Sequence, residues 1–165
     1  MQKVLVTGGA GFIGSAMINR LRNLEYEIVV ADLKEKIDRL NHMHDDVSYY
    51  DIDISKSQEL EKLYNDEFSY IFHFAAQTSG RVSQEIPELD VDVNAKGTLN
   101  ICNLARKTGN PKIIYTSSMA IYGDKNGKIS ENSEITPKSN YGVSKYAVEL
   151  YLNLFRGLGI NSTIF

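Results

Sequence analysis

A single cysteine, Cys102, stands in 165 residues, so no internal disulfide can form. No run of lysine or arginine builds a stripe, and the net charge is −3, so the electrostatic footprint of a nucleic-acid binder is missing. No apolar run approaches the roughly 18 residues that cross a bilayer. The N-terminus enters a strand pattern directly, without a charged-then-apolar leader. Internal repeats, low-complexity segments and linkers are likewise absent. These shortages leave one domain, expected in the cytoplasm, with neither nucleic acid nor membrane as partner. A small neutral or anionic ligand stays compatible with that charge, and a chain of this length buries roughly 70% of its unfolded surface.

Short β-branched runs alternate with longer stretches of helical period, the pattern of parallel strands joined by crossover helices. Strands are expected at Lys3–Thr7, Glu27–Asp32, Val47–Asp51, Tyr70–Phe74 and Lys112–Ser117, with a sixth from Asn161. Helices are expected at Phe12–Leu24, within Lys34–Met43, and at Ser57–Asp66, Pro87–Lys107 and Tyr141–Leu158. In the first helix Ile13, Met17, Leu21 and Leu24 read as the stripe that faces the sheet. Gly123–Ser139 has no periodicity and reads as a long loop of the functional kind.

The stretch TGGAGFIGS carries Gly8, Gly11 and Gly14 at intervals of three, after the strand Val4-Leu5-Val6 and before an amphipathic helix. That context makes it a dinucleotide fingerprint. Gly8 allows the tight turn, Gly11 lets backbone approach a pyrophosphate, and Gly14 lets helix pack close to strand. The first-turn amides of that helix, at Phe12 and Ile13, then face the anion. Asp32 ends the second strand roughly 20 residues on, where a carboxylate accepts both ribose hydroxyls of an adenosine and repels a 2′-phosphate. NAD is therefore expected over NADP, with Lys34 and Lys36 nearby either softening the exclusion or standing as solvated charges. The fold class follows as α/β, a Rossmann-like doubly wound parallel sheet with helices on both faces.

A tyrosine four residues before a lysine, as in YGVSK at Tyr141–Lys145, lies one helical turn from it. A cation there eases loss of the phenol proton, and Tyr141 could then take a hydroxyl's proton while hydride leaves the carbon. With TGGAGFIG, YTSSMAIYG (Tyr115–Gly123), HFAAQ after the fourth strand and NAKGT in the next helix, the whole chain resembles the extended short-chain dehydrogenase/reductases. Within them it is similar to the NAD-dependent sugar-nucleotide epimerase/dehydratase group.

The resemblance implies Ser118, Tyr141 and Lys145 as the catalytic set: Ser118 hydrogen-bonds the reacting oxygen, and Lys145 also holds the nicotinamide ribose. Ser117 is the weaker alternative to Ser118. It implies that Asp53 and Ile54 read the adenine edge, with Asp51 as the alternative, and that Phe74, Ala75, Ala76 and Gln77 pass beside the ribose and pyrophosphate. Asn94 matches a cofactor-contacting asparagine, preceded here by Val93. His73 reads as packing or loop-orienting. His42 and His44 lack a third clustered ligand for a metal.

The group's 4,6-dehydratases carry an Asp-Glu pair where this chain has Met119 and Ala120, which points to an epimerase of UDP-sugars or a simple reductase. A non-catalytic dinucleotide module is the third reading. Family members continue past the equivalent of Phe165 into a substrate domain. Residues 1–165 are accordingly expected to be the NAD-binding domain, inactive as an enzyme by itself and self-associating.

Overall fold

The computed structural model describes residues 1–40 and 44–165. Its six strands are β1 (Lys3–Thr7), β2 (Glu27–Asp32), β3 (Val47–Asp51), β4 (Tyr70–His73), β5 (Lys112–Tyr115) and β6 (Ser162–Ile164). All pair in parallel, in the order β3-β2-β1-β4-β5-β6. The chain starts mid-sheet, winds outward to β3 and returns past β1 to β4. This reversal opens a crevice beyond the carboxyl ends of β1 and β4, where doubly wound sheets take ligands. Thr7 lies opposite both Ala31 and His73, and His73 opposite Tyr115, so the loops after β1, β2, β4 and β5 leave along one edge.

The helices are α1 (Phe12–Arg22), α2 (Lys34–Ile37), α3 (Gly80–Glu85), α4 (Gly97–Lys107) and α5 (Asn140–Arg156). Strand alternation divides the core between the two sheet faces. Val4, Val6, Ile28 and Val30 pack with Ile18 and Leu21 of α1, whereas Leu5, Val29, Ile71 and Ile113 pack with Ile101, Leu104, Val148 and Leu152 of α4 and α5. Each such side chain contributes about 1.5–3 kcal/mol by leaving water.

Several boundaries differ from expectation for local reasons. The face of α1 on the sheet is Gly14, Ile18 and Leu21 with the expected Met17 packed beside them, while Ile13 and Leu24 are exposed. A Cβ on Gly14 would lie 2.6 Å from Gly9 Cα, so the helix turns that bare face inward and carries Ile13 out. The expected helix Ser57–Asp66 is a 3₁₀ segment, Glu59–Leu63. The expected helix Pro87–Lys107 opens as a π-helical turn, Asp90–Lys96, that runs into α4. Strands β4 and β5 end earlier than expected, at His73 and Tyr115. Helix α3, unforeseen, is nucleated by Ser79, whose side chain accepts from the Val82 amide. His42 and the end of the expected helix Lys34–Met43 lie outside the described residues. Among the described residues no helix is long and apolar enough to cross a membrane.

Candidate active site

The glycine turn bridges β1 and α1 at the crevice. Gly8 adopts φ +70° and a Cβ there would meet Ala75 N at 2.5 Å, so the turn and the segment after β4 touch backbone to backbone. Gly11 starts α1 in extended geometry with no side-chain cap, and a Cβ on it would meet only Gly8 O, at 3.1 Å. The first-turn amides of α1, with no acidic residue among them, therefore suit an anion. Phe12 is 94% exposed beside them. Asp32 reaches over the turn: its Oδ2 accepts from the Ala10 amide at 2.9 Å and its Oδ1 from the Leu33 amide at 2.8 Å. Burial raises this carboxyl above the ordinary aspartate value, while both amides oppose the rise. Lys34 pairs with Asp38 at 3.3 Å, as a solvated charge does.

The third strand runs on into Ile52, Asp53 and Ile54. Asp53 accepts from the Ser55 amide and hydroxyl at 3.0 and 2.7 Å and pairs with Lys56 at 3.5 Å. Burial pushes its pKa up, but those donors outweigh it and hold it below the usual value. Ile54 is buried against Gly97, and its carbonyl accepts from Asn100 Nδ2 at 2.8 Å. Asp51 holds the Lys34 amide at 2.9 Å.

Ser118 caps the 3₁₀ turn Met119–Tyr122, and its Oγ accepts from the Ala120 amide at 3.2 Å. Ser117 instead donates its hydroxyl to Glu149. Helix α5 begins against that turn: a Cβ on Gly142 would lie 2.5 Å from Ala120 O. Ser139 caps α5 by accepting from the Gly142 amide at 3.0 Å. One turn on, Lys145 is 3% exposed, with Nζ 4.3 Å from the centre of the Tyr115 ring and 6.0 Å from that of Tyr141. Burial lowers its pKa to about 8, against the opposing charge of Glu149. The ammonium thus persists at neutral pH, shared between two aromatic faces.

Behind these groups His73 is buried and neutral, its pKa lowered by burial and by Lys145 to about 3. Its tautomer follows from the partners. Thr98 gives its only hydroxyl proton to Asn94 O at 2.7 Å, so His73 Nε2 donates to Thr98 at 2.9 Å and Nδ1 accepts from Thr7 at 2.7 Å. This is the loop-orienting role expected for His73, because Thr7 Oγ1 also accepts from the Ala75 amide, at 3.4 Å. Asn94 clamps Gln77 at both main-chain groups, accepting from its amide at 2.8 Å and donating to its carbonyl at 3.1 Å. The same Asn94 amide donates to Ser144 at 2.9 Å, joining the segment Phe74–Gln77 to α5.

The model of the NAD dependent epimerase/dehydratase family matches residues 4–165. The chain belongs to that family. As a member of the NAD-dependent epimerase/dehydratase family it is 35% identical over 164 residues to the UDP-glucose 4-epimerase of Mycolicibacterium smegmatis, covering 94% of this chain and 52% of that one. It is 33% identical over 158 residues to the D-erythronate dehydrogenase of Haemophilus influenzae, covering 92% and 49%. The crystal structure of Thermus thermophilus UDP-glucose 4-epimerase in complex with NAD superposes with TM-score 0.88 at 32% identity, over 99% of this chain and 54% of that one. This family member spans about half the length of the curated relatives it matches.

Two buried residues that the sequence did not single out, Asp90 and Ser83, bond to Gln77 and to the Tyr141 amide. Asp90, Asn94 and Thr98 recur every four residues on one buried helix face, and a polar stripe at that spacing is the signal that was there to find.

Proposed function

We propose that this chain is the NAD-binding domain, residues 1–165, of an epimerase of UDP-sugars. What supports the reading is the buried Lys145, its Nζ 6.0 Å from the centre of the Tyr141 ring, on a helix whose start packs against the turn that Ser118 caps. NAD fits the sheet edge that bears the glycine turn: α1 offers uncapped amides, Asp32 a half-buried carboxylate, and Lys145 an ammonium whose near neighbours are aromatic rings. Its adenine would meet Asp53 and the Ile54 backbone, and its ribose and pyrophosphate the run Phe74–Gln77 and Asn94. When bound, NAD supplies a hydride acceptor that later returns the hydride.

The chain's own groups supply the proton chemistry. The Lys145 ammonium stabilises Tyr141 as a phenolate, Ser118 holds the sugar's reacting oxygen, and the phenolate takes the proton from that oxygen and becomes a neutral phenol. The resulting ketone turns in the site and takes the hydride on its other face, with Tyr141 handing back the proton. No net redox change results. The partner of this chemistry is a nucleotide sugar, the setting is the cytoplasm, and the protein self-associates.

The similarity to D-erythronate dehydrogenase favours a second reading, a dehydrogenase on the same residues. The test is to incubate UDP-glucose with NAD and the protein completed to the length of its relatives. Formation of the 4-epimer without accumulating NADH supports the epimerase, and stoichiometric NADH with no epimer supports the dehydrogenase.

A further inference from the structure

Asp90 is 1% exposed, and among the described residues it has no ion-pair partner. A buried carboxylate is costly unless every oxygen is satisfied, so its partners show what it is held for. Oδ1 accepts from Gln77 Nε2 at 2.8 Å and Oδ2 accepts from Ser83 Oγ at 2.5 Å. Ser83 Oγ in turn accepts from the Tyr141 amide at 3.1 Å. The serine has one proton, so its direction is fixed: Tyr141 N–H to Ser83 O–H to the carboxylate.

On the other side of the π-helical turn, Asn94 donates to Ser144, whose hydroxyl donates to Tyr141 O at 2.8 Å. A ring therefore closes through Gln77, Asn94, Ser144, Tyr141, Ser83 and Asp90. Asn140 adds a bond from its Nδ2 to Ser83 O at 2.9 Å. The π turn presents Asp90 and Asn94 four residues apart on one face, and such turns recur at functional sites.

We propose that Asp90 is a positioning residue that, through Ser83, fixes the main chain of Tyr141 and, through Gln77, ties it to the cofactor-lining segment. A carboxylate suits this role, because both of its oxygens face donors. An asparagine would turn its own N–H₂ toward Gln77 Nε2, breaking that bond, or toward Ser83 Oγ, which could accept it only by giving up its donation to position 90. The role assigned to Tyr141 rests on the proposed function, but the relay itself does not.

The test compares Ser83→Ala, Ser83→Thr and Asp90→Asn in this chain, by amide hydrogen exchange and by the NAD-induced shift of the Tyr141 ring carbon resonance. Ser83→Ala and Asp90→Asn are expected to speed exchange at Tyr141 about tenfold relative to Val148 in the same helix. Both should lose most of the ring's response to NAD, and Ser83→Thr should restore both readouts. If Asp90→Asn does not fold, Ser83→Ala against Ser83→Thr decides alone. Wild-type exchange at Tyr141 in Ser83→Ala overturns the proposal, and so does failure of the threonine to rescue. An unvaried chain that does not bind NAD removes the cofactor reading instead, while exchange at Tyr141 still decides on the relay.

Discussion

Lys145 is expected to reduce the stability of the domain that holds it, and Lys145→Met should expose the cost. The fall of its pKa from 10.5 to about 8 is caused by burial. At about 1.36 kcal/mol for each pH unit, it corresponds to about 3 kcal/mol of unfavourable free energy carried by the charge in the folded state. The direction is that of a base depressed on folding. Between pH 8 and 10.5 the unfolded chain binds the extra proton, so stability rises with pH across that window. The cost is present in full below about 8. Methionine keeps the packed stem but forfeits the attraction to the Tyr115 and Tyr141 rings, about 0.5–2 kcal/mol. A net gain of about 1–2 kcal/mol at pH 7 is therefore expected in urea unfolding. The difference from wild type should shrink as pH is raised toward 10.5, since taking differences cancels the other titrating groups. A variant no more stable than wild type at pH 7, or a difference constant with pH, would refute the reasoning.

Gly8→Ala should cost about 2–4 kcal/mol in the same assay, because φ +70° strains any side chain and the new Cβ would lie 2.5 Å from Ala75 N. A loss under about 1 kcal/mol would mean that the turn can open. His73→Gln should flatten acid unfolding between pH 6.5 and about 3, since the wild-type ring is protonated only in the unfolded chain there and stability falls as pH drops through that window. Unchanged acid sensitivity would remove His73 as its source. In the protein completed to its relatives' length, Tyr141→Phe should abolish turnover and leave NAD affinity within about twofold, since only the hydroxyl is lost. Near-normal turnover would overturn the proton path.

Elements held by strong local pattern were legible in the sequence. The strands Lys3–Thr7, Glu27–Asp32 and Val47–Asp51 end where they were expected; in the first, the β-branched run meets the glycine turn. The glycine spacing led to the turn, since Gly8 has the positive φ its role requires. What periodicity could not supply was rotation about a helix axis. Ile13 looked like core, yet the close approach of Gly14 to Gly9 turns α1 the other way. The π turn at Asp90–Lys96 was hidden for a related reason, because its distinguishing bonds are tertiary: Asn94 to Gln77 and Ser144, and Asp90 to Ser83. Helix α3 is short and polar, and docks through Ser83 rather than through an apolar stripe.

The central claim, a dinucleotide site selective for NAD, is tested most directly by calorimetric titration of this chain with NAD and with NADP. One NAD should bind per chain, more tightly than NADP. Asp32→Ala should weaken NAD by about 1–3 kcal/mol and narrow the gap, since in the proposed function the carboxylate that accepts from the Ala10 amide would also meet the ribose hydroxyls. No binding of NAD, or equal affinity for both dinucleotides in the unvaried chain, would contradict it.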